Sequence, residues 1–260
     1  MKRNLLHEER TVKEILIFDL KGSLAHFRKY FTNSSSLSYT FPPRTVIIGL
    51  VAGLLGEERD TYYEKLNDSH CKVALSLKTP VRKIMQTMNY INTSNYSVDA
   101  LLSDTPNFEH VQIPLEVVCP VDDLEICYRI YLSCETIHQE LKNRLRQNLF
   151  VYPPYLGITE FLGEIEFISE GTVSEISHES PVNLSTVCRK SAIIDRGLKF
   201  EDANAQYLLE KMPADFSGKR EVTRYEEYIF ERNGKAIAAL LKEPAYQISY
   251  KDQSENIIFM

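Results

Sequence analysis

Tryptophan is absent from the 260-residue sequence, although fifteen tyrosines and twelve phenylalanines supply ample flat apolar surface for a core. The five cysteines, Cys71, Cys119, Cys127, Cys134 and Cys188, are odd in number and contain no CxxC pair. The opening MKRNLLHEER is charged throughout and has no apolar stretch of the kind a secretory signal needs. Together these absences predict free thiols in a reducing, cytoplasmic setting rather than a disulfide framework. No apolar run is long enough to span a bilayer, since Val46–Leu55 is half of the roughly 20 residues required. HExxH, Cys/His clusters and GxSxG are missing, so neither a metal site nor a serine-hydrolase elbow is expected. The glycine-bearing GLVAGLLG at 49–56 lacks the Lys-Ser/Thr of a P-loop and fits no dinucleotide fingerprint, which leaves no expected cofactor. Nor is there an excess of positive charge. A formal net charge of −6 argues against nucleic-acid binding through the whole surface and leaves room only for a local basic face.

The hydropathy pattern divides the chain into clear elements. Lys13–Leu20 reads as a buried strand, and Lys21–Ser38 as a long polar loop ended by Pro42–Pro43. Arg44–Leu55 reads as an apolar helix entered through Pro43 and capped by Gly56. Its glycines, Gly49 and Gly53, are expected to bring it tight onto a sheet, so that Gly53→Leu would overpack by roughly 1–3 kcal/mol. Lys72–Thr79 follows as a strand, and 80–114 as a long polar segment compatible with a projecting hairpin. Leu115–Val118 and Ile126–Ser133 read as a strand pair, Glu135–Phe150 as an amphipathic helix on Ile137, Leu141, Leu145 and Leu149, and Phe161–Ser169 as another strand. Strand, helix, strand, strand, helix, strand is the order of ferredoxin-like and RNA-recognition folds. Polar residues at 171–180 mark a boundary, and the remainder reads as β-rich, with a type I′ hairpin signal at Asn233–Gly234.

Against the acidic whole, 12–52 carries five bases, Lys13, Lys21, Arg28, Lys29 and Arg44, and only two acids, Glu14 and Asp19. Phe27, Tyr30, Phe31 and Tyr39 are interleaved with them. Bases among exposed aromatics can hold single-stranded RNA by phosphate contact and stacking, whereas aromatics tucked inward would leave an ordinary solvated loop. Lys142, Arg144 and Arg146 read as the wet face of their helix.

Five segments in order, IFDLKG, AHFRKYF, LSYTFPPRTVIIGLVAGLLG, IPLEVVCPVDDLEICYRIYLS and VYPPYLGITEFLGEIEF, resemble the Cas-five proteins, the fifth core family of CRISPR-associated proteins and part of the RAMP superfamily. The resemblance covers about 13–170 and is most like the subtype I-B branch. It implies an α+β chain: a ferredoxin-like domain over 1–170 with a thumb at about 78–114, then a smaller β-rich domain over 171–260. It implies a subunit that caps the 5′ handle of the CRISPR RNA in a type I Cascade complex. Such a subunit docks backbone and large subunits and meets target DNA only through the complex, with no catalytic role, metal, cofactor or membrane. On this resemblance the RNA-facing positions are Lys21, His26, Phe27, Arg28, Lys29, Tyr39 and Arg44, with Arg82 and Lys83 on the thumb. One family branch cleaves precursor RNA with a tyrosine, a lysine and a histidine. Here Arg44 falls at or near the tyrosine's place and no Lys-His dipeptide is present, so an endoribonuclease built on His26 and Tyr39 is the alternative. A ferredoxin-like module that binds a protein or small ligand outside CRISPR biology is the other.

Overall fold

The computed structural model describes residues 14–32, 36–92, 110–200 and 202–260. The predicted thumb's tip, 93–109, and the N-terminal 1–13 lie outside the described residues. Strand β1 (Glu14–Gly22) leads to a small hairpin, β2 (Phe27–Arg28) and β3 (Ser38–Tyr39), then helix α1 (Arg44–Leu55) and β4 (Cys71–Leu77). A long ribbon of β5 (Val81–Ile91) and β6 (His110–Pro120) precedes β7 (Ile126–Cys134), helix α2 (His138–Gln147) and β8 (Glu164–Ile176). The rest is β structure: β9 (Val182–Leu184), β10 (Cys188–Arg189), β11 (Ile193–Lys199), β12 (Tyr207–Phe216), β13 (Val222–Glu231), β14 (Ile237–Leu241), β15 (Ala245–Tyr250) and β16 (Gln253–Ile257).

The main sheet is antiparallel in the order β16-β15-β8-β1-β7-β4. Its central strand explains its own sequence. Leu16, Phe18 and Leu20 face the core under the helices, while Ile15 and Ile17 face a second cluster with Tyr131, Ile248 and Phe259. A strand buried on both sides reads as a continuous apolar run. Residue 171 lies inside β8, whose far end pairs with β15, so the chain remains in this sheet into the polar stretch and returns to it at its end. Between those points, β10-β13-β12 and β11-β14-β9 form two small sheets. Phe41 packs edge-on against Tyr228 and Phe230 and joins them to the main core.

Several predicted pairings differ. β6 pairs along its whole length with β5, and β7 sits between β1 and β4, so the expected β6–β7 ladder is absent among the described residues. β13 and β14 likewise belong to different sheets. Gly234 alone of its dipeptide has positive φ (78°), whereas a type I′ turn needs two. The Glu231 carboxylate instead accepts the N–H groups of Asn233 and Lys235 at 2.8 and 2.9 Å and shapes the turn. In α2 the stripe ends early. Leu141 and Leu145 are buried, but Asn148 adopts φ 53° and stops the helix, leaving Leu149 exposed.

Helix α1 has the bounds the sequence predicts, with Gly56 at φ 80° donating its N–H to the Gly53 carbonyl. Its glycines do something else than expected. A Cβ at Gly53 would have no neighbour within 4 Å, and one at Gly49 would meet only the Tyr62 hydroxyl, at 3.2 Å. They floor an open apolar groove of about 510 Å³, walled by Leu50, Tyr62, Tyr152, Tyr155 and Leu162. The sheet is met by Ile47, Ile48, Val51 and Leu54 on the other side. Gly53→Leu therefore has room, which removes the overpacking expectation. Gly53→Ala should raise stability by about 0.5–1 kcal/mol through helix propensity, read as a higher denaturant midpoint at unchanged m.

Candidate nucleic-acid interface

The β2–β3 hairpin is the piece that gathers the predicted residues, and its alternation sorts them. Phe27 turns inward against Tyr128, ring centroids 5.9 Å apart, and Tyr39 is buried beside it in the core. Arg28 turns outward. Main-chain bonds fix the hairpin to β6: Ala25 and Val118 exchange N–H···O bonds of 2.9 and 2.8 Å, and the Glu116 N–H donates to the Ser36 carbonyl at 2.9 Å. His26 reinforces the joint, with Nδ1 2.7 Å from the Glu116 carbonyl and Nε2 2.9 Å from the Ser36 hydroxyl. Burial, helped by the nearby Arg28 charge, lowers the His26 pKa, so the ring is neutral at pH 7 and offers a phosphate no charge.

A cluster of four charged side chains lies at the hairpin's base. Glu210 of β12 accepts from the Thr40 N–H at 2.9 Å and from Lys83 Nζ at 3.0 Å, with Lys29 Nζ 3.5 Å away. Lys83 also donates to the Ser38 carbonyl at 2.6 Å and lies 3.7 Å from Glu116. Lys29 and Lys83 are thus brought together as predicted positions, but each is paired with a carboxylate.

The other predicted residues separate. Lys21 follows Ile17 and Asp19 on the far alternation face of β1 and is ion-paired with Glu166, which raises its pKa. Arg44 corrects the expectation of an RNA-facing residue at the loop's end, because it is 1% exposed. Its Nη2 donates to the carbonyls of Leu66 and Cys71 at 3.1 and 2.7 Å, and its Nη1 to the Ala214 carbonyl and Asp215, each at 3.2 Å. It bolts α1 to the segment before β4 and to β12. His26, Phe27 and Tyr39 are likewise buried, which leaves Arg28 and Arg82 as the exposed bases of the set. Among the described residues neither has a carboxylate within ion-pair distance. Arg28 is steadied only by the Thr32 carbonyl, at 3.0 Å.

Residues 15–112 match the family model described as CRISPR-associated protein (Cas_Cas5). Over that range the chain is similar to the Cas5 family. The match spans β1, the hairpin, α1 and the first strand of the ribbon, where Arg28 and Arg82 stand. None of the curated proteins matches the sequence. Two solved structures share the fold at 10% identity. One is a CRISPR protein from Archaeoglobus fulgidus, with TM-score 0.57 over 94% of this chain and 98% of that one. The other is a chain of a CRISPR RNA-guided surveillance complex, with TM-score 0.50 over 87% and 92%.

Sequence reasoning missed the contribution of the C-terminal half. Glu210 and Tyr225 reach the hairpin from β12 and β13, with Lys211 over the Tyr225 ring, and spacing offers no signal for partners so far along the chain. Elsewhere, Glu14, His138 and Glu170 bring potential metal-ligand atoms within 4.8 Å of one another. Lys142 and Arg146 already hold Glu170, at 2.7 and 3.3 Å, and supply the positive charge a cation would bring. No helix among the described residues is long and apolar enough to cross a membrane.

Proposed function

We propose that this chain is an RNA-binding subunit of a multi-subunit CRISPR surveillance complex of the type I Cascade kind. It caps the 5′ handle of the CRISPR RNA in the cytoplasm and docks the backbone and large subunits. The observation that carries this reading is the pair of exposed guanidiniums, Arg28 on the hairpin and Arg82 on the ribbon, inside the family-matched segment and with no carboxylate in ion-pair distance among the described residues. Guanidiniums suit phosphate geometry, and local charge of this kind suits an otherwise acidic subunit. The order β8-β1-β7-β4, with α1 and α2 as the two crossovers, is read as a ferredoxin-like sheet, and the β5–β6 ribbon as its thumb. The non-catalytic reading is supported by the burial of His26 and Tyr39, which keeps the alternative nuclease pair from the surface.

The test is salt-dependent binding of single-stranded repeat RNA to the full chain. Arg28→Ala and Arg82→Ala are each expected to weaken binding and flatten the slope of log affinity against log salt by about 0.7, the value for one phosphate contact on a single strand. The RNA should be recovered intact. Unchanged slopes in both variants would overturn the reading, and cleavage lost on changing His26 or Tyr39 would replace it with the nuclease.

A further inference from the structure

The aromatics interleaved with the bases do not all turn inward. Tyr30 is 50% exposed and Phe31 58%, and they meet edge to face with centroids 5.2 Å apart. Tyr225, carried by β13 and 40% exposed, lies against Tyr30 at 4.7 Å and 44°. Lys211 Nζ sits 5.8 Å from the Tyr225 ring centre, and like Arg28 it has no carboxylate within ion-pair distance among the described residues.

We propose that Tyr30 and Tyr225 form a stacking platform for an unpaired base of bound RNA, with Arg28 and Lys211 meeting the phosphates beside it. This rests on the RNA-binding reading above and extends it to the C-terminal half of the chain. Three large rings in contact at the surface, each about half wet, leave apolar area uncovered that a base can cover. The rings are not required as glue between the two halves. Phe41 with Tyr228 and Phe230, and Arg44 with Ala214, already make that joint in buried positions, and Thr40 with Glu210 adds a part-buried bond. The platform is also pre-shaped. The Thr32 N–H and hydroxyl both donate to the Lys29 carbonyl, at 3.3 and 2.9 Å, closing the turn that carries Tyr30, and the Arg28 guanidinium is held on the same turn by the Thr32 carbonyl. The acids nearby are neutralised: Glu210 by Lys29 and Lys83, and Glu227 by Lys190 at 2.7 Å. A phosphate therefore meets cations that no carboxylate among the described residues pairs.

The absence of tryptophan makes the test specific, because Tyr225→Trp places a single indole on the platform of the full-length chain. Titration with single-stranded RNA of about 12 nucleotides at low salt is expected to quench its emission, and a duplex of the same length is not. Tyr225→Ala is expected to weaken single-strand binding by roughly ten- to a hundredfold, while Tyr225→Phe stays near the parent. If RNA binds with slopes that depend on Arg28 and Arg82, but the indole is not quenched and Tyr225→Ala binds normally, the platform is overturned and the RNA-binding reading survives. If no RNA binds, both fall. Should Tyr225→Ala retain RNA affinity but lose assembly with partner subunits, the patch is a protein contact and the proposal fails. A melting curve guards against loss of fold, and the Trp and Phe variants still give a reading if the Ala variant unfolds.

Discussion

Gly157→Ala is expected to destabilise the fold by about 2–5 kcal/mol, the sum of a left-handed backbone penalty and a clash that has no soft partner. Gly157 has φ 93°, and a Cβ there would lie 2.0 Å from the His26 carbonyl oxygen and 2.7 Å from its carbon. Side chains can rotate away from a clash, but a carbonyl on a bonded hairpin cannot. The His26 N–H donates to the Leu156 carbonyl at 3.0 Å, and its ring is tied to Glu116 and Ser36. Relief would require the hairpin to lift from β6, taking Phe27 out of its contact with Tyr128. The variant should therefore lose RNA retention together with stability. Gly56→Ala is the control. Its φ of 80° is similar, but the obstruction is the Val151 side chain, at 2.8 Å, so the cost should be about 1–2 kcal/mol. Denaturant unfolding of the two variants measures the difference, and equal midpoints would mean that the hairpin yields more easily than its bonds suggest.

The stretch Pro154-Tyr155-Leu156-Gly157 thus has a physical reason to end in glycine, but only the assembled chain reveals it. What the sequence made legible was local. Helix α1 could be bounded to the residue because Pro43 precedes it and Gly56 ends it in the left-handed conformation. The central strand could be read because it is apolar on both faces. Facing was harder. The glycines of α1 announce a missing side chain, yet open groove and tight packing look alike until Tyr62 and Tyr152 are in place. The hairpin's four aromatics divide evenly, Phe27 and Tyr39 inward, Tyr30 and Phe31 outward, and composition cannot divide them. Strand partners were least legible. β6 and β7 are adjacent in sequence and apolar enough to pair, but β7 has two longer ladders available in the main sheet. Glu210, which gathers Lys29, Lys83 and Thr40, comes from a strand 170 residues beyond Thr40.

Arg44 shows the same limit. A basic residue at the end of a basic loop reads as a phosphate ligand, and its burial follows only from Ala214 and Asp215, which arrive from β12. Arg44→Met should destabilise by about 3–4 kcal/mol, because it takes the guanidinium donors away from the buried carbonyls of Leu66, Cys71 and Ala214. Asp215 is part-exposed and can take water, which keeps the figure below that of a fully buried ion pair. Arg44→Lys should recover less than half of the loss, since one ammonium cannot span acceptors served by two separate nitrogens. Two measurements separate this structural role from a nucleic-acid contact. In denaturant, both variants should unfold at lower midpoints, Met below Lys. Under conditions where they remain folded, the salt slope of RNA binding should match the parent. A slope lower by about 0.7 with an unchanged midpoint would place Arg44 on a phosphate after all. The expected pattern, stability lost and slope kept, is the opposite of that for Arg28. These two arginines of one segment are distinguished by whether their guanidiniums are buried among several acceptors or exposed at the surface.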